Sequence, residues 1–385
     1  MADPMVDERY GPWAPLTIDE ARDELADCPA PWWFTGGIAL ELFAGRSWRG
    51  HDDLDVGIRR CDAVIVLDHL RRRGWDVIVA AAGELAPWTG RELEEAMHQN
   101  NVWCRRPGGP WQVDVTIGEG DEERWVYRRK PALTRPWSEA VRDVDGVRFL
   151  AAELQLLFKS DNVRSKDTVD AAQVVPLLDG GGLALLTAQL PTGHPWWRLV
   201  RAHTPACAAI DVLDVLRILR AVGIEAWIDG GWAVDALVGA QTRQHSDLDL
   251  AVTRTSFDTA SRALATHGFQ TVRDDGPHNQ VLADHSGRIV DLHAFDPSVV
   301  TVGADGIRRH GGEGLAYEAD GFDGAGTIDG QAVTCVSPAA LVRYHTGYDI
   351  DADDWHDVQL LCDRFNLPIP PDYDRFRSPR TPTAP

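Results

Sequence analysis

The chain is poor in cysteine, and the few it has follow no ligand spacing. Cys28, Cys61, Cys104, Cys207, Cys335 and Cys362 are scattered over 385 residues without a CxxC pair, which argues against a zinc site and against a disulfide scaffold. A reducing cytoplasm is the simplest expectation. Basic charge is also short: 38 Lys and Arg face 59 Asp and Glu, for a formal net charge of -21. That is the wrong sign for gripping a nucleic-acid backbone, so cationic or neutral small partners fit better. No stretch approaches the roughly 18 apolar residues of a membrane span. The opening MADPMVDERYGPW lacks the basic start and apolar run of a signal peptide. A soluble, cytoplasmic protein with no membrane partner is expected.

What the chain has in abundance is a repeat. Residues 33–55 read WFTGGIALELFAGRSWRGHDDLD and residues 227–249 read WIDGGWAVDALVGAQTRQHSDLD, displaced by 194 positions. Gly36 and Gly37 map onto Gly230 and Gly231, Gly45 onto Gly239, Arg49 onto Arg243, His51 onto His245, and Asp53 and Asp55 onto Asp247 and Asp249. A repeat kept for packing alone would keep its apolar pattern, whereas this one keeps residues that approach phosphate or bind metal. The offset divides the chain into two domains, expected at 1–202 and 203–385, each large enough for its own core. In each half the double glycine stands between a short strand and a helix closed by Gly45 or Gly239. Each half also has a probable hairpin, at 101–117 and 280–294, and two closing helices. The Gly- and Pro-rich residues 179–195 read as the end of the first domain and the start of the connection.

The aspartates suggest metal. In a strand, Asp53 and Asp55 share a face, as do Asp247 and Asp249, and paired like charges are readily explained by a divalent cation with oxygen ligands, magnesium above all. A third carboxylate from the hairpin's second strand, Asp114 or Asp291, would complete each site. These sit in the apolar runs VDV and VDL, where an unpaired charge is costly. The glycines leave room for phosphate at a helix N-terminus, with Arg49 and Arg243 placed to neutralise it. Such parts fit nucleotidyl transfer, with Asp114 and Asp291 as candidate bases for an incoming hydroxyl.

The double glycine followed by HxDxD resembles the signature of the nucleotidyltransferase superfamily that includes DNA polymerase beta and the antibiotic nucleotidyltransferases. The C-terminal half is similar to lincosamide nucleotidyltransferases through WIDGGWAVDALVG, TRQHSDLDLAV, GRIVDLHAF and RYHTGYDIDADDWHDVQLLCDRF. The N-terminal half resembles the aminoglycoside 2''-adenylyltransferase-like group more loosely, through WFTGGIALELFAGR, HDDLDVGI, WQVDVTI and ELQLLFKS, departing at Ile38 and Trp48. The resemblance implies an α+β chain of two tandem nucleotidyltransferase (polymerase beta-like) domains, each a small mixed sheet flanked by helices. It further implies a magnesium site on Asp53, Asp55 and Asp114 and another on Asp247, Asp249 and Asp291. The implied reaction moves a nucleoside monophosphate, AMP from ATP, to a hydroxyl of a small and probably cationic drug-like acceptor, releasing pyrophosphate. Related enzymes often work as dimers, so a monomer whose fused halves form a pseudo-dimer is expected.

Other residues have plainer readings. His51 and His245 read as turn residues bonded to nearby backbone, and Glu41 and Asp235 as surface acids or site residues. His98, Asn100, His278 and Asn279 precede the hairpins and either line a pocket or belong to polar loops. Lys159 and His345 occupy comparable helices, each a candidate for reaching a phosphate. Tryptophan pairs such as Trp32–Trp33 read as core. Rival functions are the same chemistry on a biosynthetic intermediate or a protein side chain, or a non-catalytic nucleotide-binding, antitoxin-like module.

Overall fold

Period-two burial along residues 111–120 sets the architecture of the first half: Trp111, Val113, Val115 and Ile117 point into the core while Gln112, Asp114 and Thr116 line the other face. The computed structural model describes residues 10–191, 193–310 and 316–376; residues 1–9, on which most of the signal-peptide expectation rests, lie outside these. By contacts the chain divides into a first unit of Met1–Leu178 with Leu190–Leu199 and a second of Asp179–Gln189 with Val200–Pro385.

In the first unit the strands are β1 (Trp32–Phe34), β2 (Asp55–Arg59), β3 (Asp76–Ala81), β4 (Glu84–Pro87), β5 (Asn101–Arg105), β6 (Trp111–Gly120), β7 (Arg124–Val126), β8 (Thr134–Pro136), β9 (Val141–Val144) and β10 (Val147–Leu150). Helices α1 (Ile18–Leu25), α2 (Gly36–Ala44), α3 (Ala63–Arg72), α4 (Trp137–Ala140), α5 (Ala152–Ser160) and α6 (Ser165–Val174) flank them. The sheet runs β4-β3-β5-β6-β2-β1-β10-β9, with β7 and β8 extending from β6. It is mixed, since β2 lies parallel to β6 and β1 to β10 while the other pairs on this path are antiparallel.

The second unit opens with α7 (Gly180–Gln189), and α8 (Trp197–His203) precedes its α9 (Ala209–Ala221) along the chain. Then come β11 (Trp227–Asp229), α10 (Gly230–Val238), β12 (Leu248–Thr253), α11 (Arg254–Ala265), β13 (Gln270–Asp274), β14 (Asn279–Ala283) and β15 (Ile289–Phe295). It ends with β16 (Val300–Val302), β17 (Arg308–His310), β18 (Gly324–Ile328), β19 (Gln331–Cys335), α12 (Pro338–Tyr344) and α13 (Ala352–Phe365). Its main sheet runs β13-β14-β15-β12-β11-β19-β18. Matched through the repeat, this is the first unit's order without the outer β4, so the duplication extends to topology. Each unit has its own apolar cluster, one centred on Phe34, Val56, Leu67 and Val102 and the other on Ile228, Trp232, Leu250 and Leu292.

Residues 179–195 are not the loose connection expected. Gly180, Gly181 and Gly182 begin α7, where a Cβ on Gly180 would come 2.3 Å from the backbone of Ser286. The glycines there permit close packing of a helix on the 284–287 turn. Gln189 at its end donates to the carbonyl of Val272 at 2.6 Å.

Candidate active site

Two of the three carboxylates of each half meet because adjacent parallel strands place them in register. Asp55 at the start of β2 is directly opposite Asp114 on β6, and Asp249 on β12 is opposite Asp291 on β15. Asp53 and Asp247 precede their strands by a residue or two and belong to the incoming turn rather than to the strand itself. Nearby asparagines orient the third carboxylates. Asn101 donates to both oxygens of Asp114 at 3.0 and 3.1 Å, and Asn279 donates to Asp291 at 2.5 Å.

These acids resist ionising together. Burial, with the charges of Asp53 and Asp114, holds the Asp55 carboxyl well above the usual range, and burial pushes Asp114 up to about 7 against the hydrogen bond from Asn101. In the second unit burial pushes Asp249 up to about 6 and raises Asp291. Clustered, desolvated carboxylates are an unfavourable arrangement alone and a favourable one around a hard divalent cation, so the donor set fits magnesium. Asp249, Asp291 and His293 form the one set among the described residues whose ligand atoms all lie within 4.8 Å of one another.

The glycines are explained by what packs against them. Gly36 and Gly230 have φ of +66° and +56°, and a Cβ on them would lie 1.8 and 2.2 Å from Oδ2 of Asp55 and Asp249. Gly37 and Gly231 make room for the arginine and histidine of the motif, with Nη2 of Arg49 or Arg243 at 2.1 and 2.4 Å from the missing Cβ. The first glycine's amide is already bound: Gly36 donates to Gln155 at 2.9 Å and Gly230 to Asp229 at 2.8 Å. The arginines are engaged too. Arg49 forms a bidentate pair with Asp170 of α6 at 2.8 and 2.9 Å, and Arg243 one with Asp357 of α13 at 3.0 and 2.6 Å. In the described state both guanidiniums clasp the aspartate-bearing turn to a closing helix, with their charge balanced by a buried carboxylate.

Glu41 and Asp235 are not surface acids; they are buried and meet the motif's histidines. His245 Nε2 is hydrogen-bonded to Asp235 at 2.5 Å and His51 Nε2 lies within ion-pair distance of Glu41 at 3.2 Å, so each histidine side chain faces a helix carboxylate rather than the turn backbone expected. Trp232 stacks on His245 with ring centroids 4.6 Å apart. The pair was legible in principle, because both acids stand ten residues before their histidine in both copies. Asp170 and Asp357 lay too far along the chain for any spacing rule.

Of the residues just before the hairpin strands, Asn279 reaches Asp291, Asn100 accepts from Arg60 at 2.6 Å and His98 is exposed. Lys159 bridges Asp167 at 2.6 Å and Asp170 at 3.1 Å at the cleft wall, whereas His345 is buried with Nδ1 on the carbonyl of Leu341 at 2.8 Å. Trp32 packs on Phe34, and Trp33 also lines the cleft. The sites are not identical. Thr116 stands where the second unit has His293, which lies 3.4 Å from Asp291 and, despite burial, is pushed up to about 9 by Asp249 and Asp291. Thr35 stands where Asp229 caps the second glycine helix and accepts from Tyr317 at 2.8 Å. Beside Asp53 and Asp55 the first unit opens a cleft of about 370 Å³.

Comparison with known proteins gives three likenesses beside a family match. The model of the family described as aminoglycoside-2''-adenylyltransferase matches residues 17–83 and 211–361, which is more than half of the chain. A lincosamide resistance protein of Staphylococcus haemolyticus is 26% identical over 155 residues, covering 39% of this chain and 92% of that protein. The crystal structure of the lincosamide antibiotic adenylyltransferase LnuA, lincomycin-bound, is 24% identical, covering 41% of this chain and 98% of that one with a TM-score of 0.35. That of ANT(2")-Ia in complex with adenylyl-2"-tobramycin is 20% identical, covering 41% and 88% with a TM-score of 0.33. Among the described residues, no helix is long and apolar enough to cross a membrane.

Proposed function

The chain belongs to the aminoglycoside-2''-adenylyltransferase family, and from that membership we propose that it transfers AMP from ATP to a hydroxyl of a small cationic antibiotic, a lincosamide or an aminoglycoside. One observation carries this reading: the same carboxylate triad is built twice, by parallel register of Asp55 with Asp114 and of Asp249 with Asp291, with Asp53 and Asp247 just upstream. Magnesium held by Asp53, Asp55 and Asp114, or by Asp247, Asp249 and Asp291, supplies charge neutralisation for the triphosphate when bound.

The chain's own groups do the rest. Asp114 and Asp291 accept the proton of the acceptor hydroxyl. The hydroxyl oxygen then forms its bond to the α-phosphorus as the bond to the β-phosphate oxygen breaks, and pyrophosphate leaves with that electron pair. The Asn101 and Asn279 amides keep the accepting oxygens aimed. The formal charge of -21 draws basic acceptors, and lincosamides and aminoglycosides are both amines.

The test is incubation with labelled ATP and magnesium against a panel of both drug classes, following label transfer and pyrophosphate. Two variants, Asp53→Asn with Asp55→Asn and Asp247→Asn with Asp249→Asn, assign activity to a unit. If no drug of either class becomes labelled by the parent, the reading is wrong.

A further inference from the structure

Arg128, Arg129 and Lys130 form one of two runs of three basic residues, the other being Arg71, Arg72 and Arg73, in a chain of net charge -21. The 128–130 run sits in the turn joining β7 to β8, which extends from the distal end of β6. The turn is held by its own packing. Trp125 and Tyr127 are almost fully buried, Tyr127 donates from its hydroxyl to the Leu157 carbonyl of α5 at 3.3 Å, and its amide donates to Leu133 at 2.9 Å. This seats Arg128 and Arg129 on the wall of the first unit's cleft, across which lie Gly36, Gly37, Asp53 and Asp55.

Six cations line this cleft: Arg49, Arg128, Arg129, Lys159, Arg164 and Lys166. Five have carboxylates. Arg49 and Lys159 share Asp170, Lys159 and Arg164 share Asp167, Arg129 reaches Asp161 at 3.0 Å, and Lys166 faces Asp52 at 3.6 Å. Arg128 has none among the described residues. Its guanidinium stands 5.5 Å from the centroid of the Phe158 ring, the same distance as that of Arg129, so two cations share one aromatic ring. Burial and the neighbouring Arg129 both act to lower its pKa, so the surroundings disfavour the charge it carries. A half-buried arginine fixed in a cavity without a counter-ion is a place prepared for an external anion.

We propose that Arg128 receives the terminal phosphates of the nucleoside triphosphate in the first unit's cleft, an assignment that rests on the nucleotide-transfer reading above. Asp53 and Asp55 face the same cavity, and its volume of about 370 Å³ is that of a small-molecule site. The fork of an arginine suits the two phosphates that leave together, and their negative charge supplies what Arg128 lacks. The second unit has no equivalent arrangement in the described residues. The arginine pair of its β16–β17 hairpin is differently engaged, Arg309 being paired with Asp305 at 2.6 Å and Arg308 exposed.

The test uses the full chain carrying Asp247→Asn and Asp249→Asn, so that binding reports the first unit. Calorimetry with magnesium compares the non-hydrolysable α,β-methylene analogue of ATP with AMP. Arg128→Ala is expected to weaken the analogue about 10- to 100-fold, the range of a charge-assisted bidentate contact, and to leave AMP within about twofold. Arg128→Lys restores part of the loss, since it keeps charge without the fork. Unchanged affinity for the analogue in Arg128→Ala, or equal losses for analogue and AMP, overturns the assignment. If the parent of this series binds neither nucleotide, the nucleotide-site reading of the first unit fails, and the role of Arg128 fails with it.

Discussion

Replacing Asp357 by alanine tests how the second unit holds its catalytic turn. The Asp357 side chain is 1% exposed and that of Arg243 22% exposed, and two hydrogen bonds at 3.0 and 2.6 Å join them. Arg243 belongs to the turn that continues through His245 to Asp247, while Asp357 belongs to α13, so the pair ties the turn to the closing helix. Deleting one partner of a buried ion pair costs about 3–5 kcal/mol. Here the remaining exposure of Arg243, and Asp353 at 3.9 Å as a substitute partner, reduce this to about 2–3 kcal/mol. A domain of this size loses about 2–4 °C per kcal/mol, so Asp357→Ala is expected to lower the unfolding temperature by about 4–12 °C. Scanning calorimetry measures the shift, and titration with manganese measures the weaker divalent affinity expected of a loosened Asp247. The double variant Arg243→Met with Asp357→Leu recovers most of the stability, because an apolar pair replaces the ionic one without stranding a charge. An Asp357→Ala protein that unfolds within about 1 °C of the parent refutes the clasp.

Three further outcomes follow from the geometry. Gly36→Ala is expected to cost the first unit its divalent affinity, measured by manganese titration, because the new Cβ would lie 1.8 Å from Asp55 Oδ2 at a positive φ; affinity equal to the parent's counts against the packing account. Asp114→Asn and Asp291→Asn should each lower transfer at their own site by about 10²–10⁴-fold while leaving nucleotide affinity within a few-fold, read from single-turnover kinetics. Against burial, the hydrogen bonds of Arg164 and Lys159 hold Asp167 down to about 2, below its unfolded value, so its contribution is present above about pH 4 and is lost as the pH falls toward 2. Acid unfolding of Asp167→Asn should therefore begin from a lower stability near neutrality and show a flatter slope between about pH 4 and 2 than the parent; identical slopes would contradict this.

The clustered aspartates were legible because the same motif occurs twice at one offset. Periodicity placed Asp114 and Asp291 on strands, and the hairpins were marked by their Gly and Pro turns. The pairing of Glu41 with His51 and of Asp235 with His245 is not decided by the sequence, because a helix acid looks exposed unless its buried partner is known. The paired spacing of ten residues was the overlooked clue. The Gly- and Pro-rich composition of residues 179–195 reads as the end of a domain and the start of a connection, whereas Gly180 allows close contact of a helix with the 284–287 turn.

By itself the sequence determined that one motif occurs twice at a single offset, that three aspartates recur in each copy's half, and that a double glycine precedes them. These are local patterns, set by backbone sterics and by the spacing of charged residues. Only the tertiary structure decided that parallel strands bring the third aspartate into register with the second, and that Arg49 and Arg243 bind Asp170 and Asp357. It also decided that one unit has a cationic cleft beside Asp53 and Asp55 while the other sets His293 next to Asp291 and Asp229 opposite Asp249. Charge pairing depends on which side chains meet across more than a hundred residues of chain, and burial decides how much each pair counts.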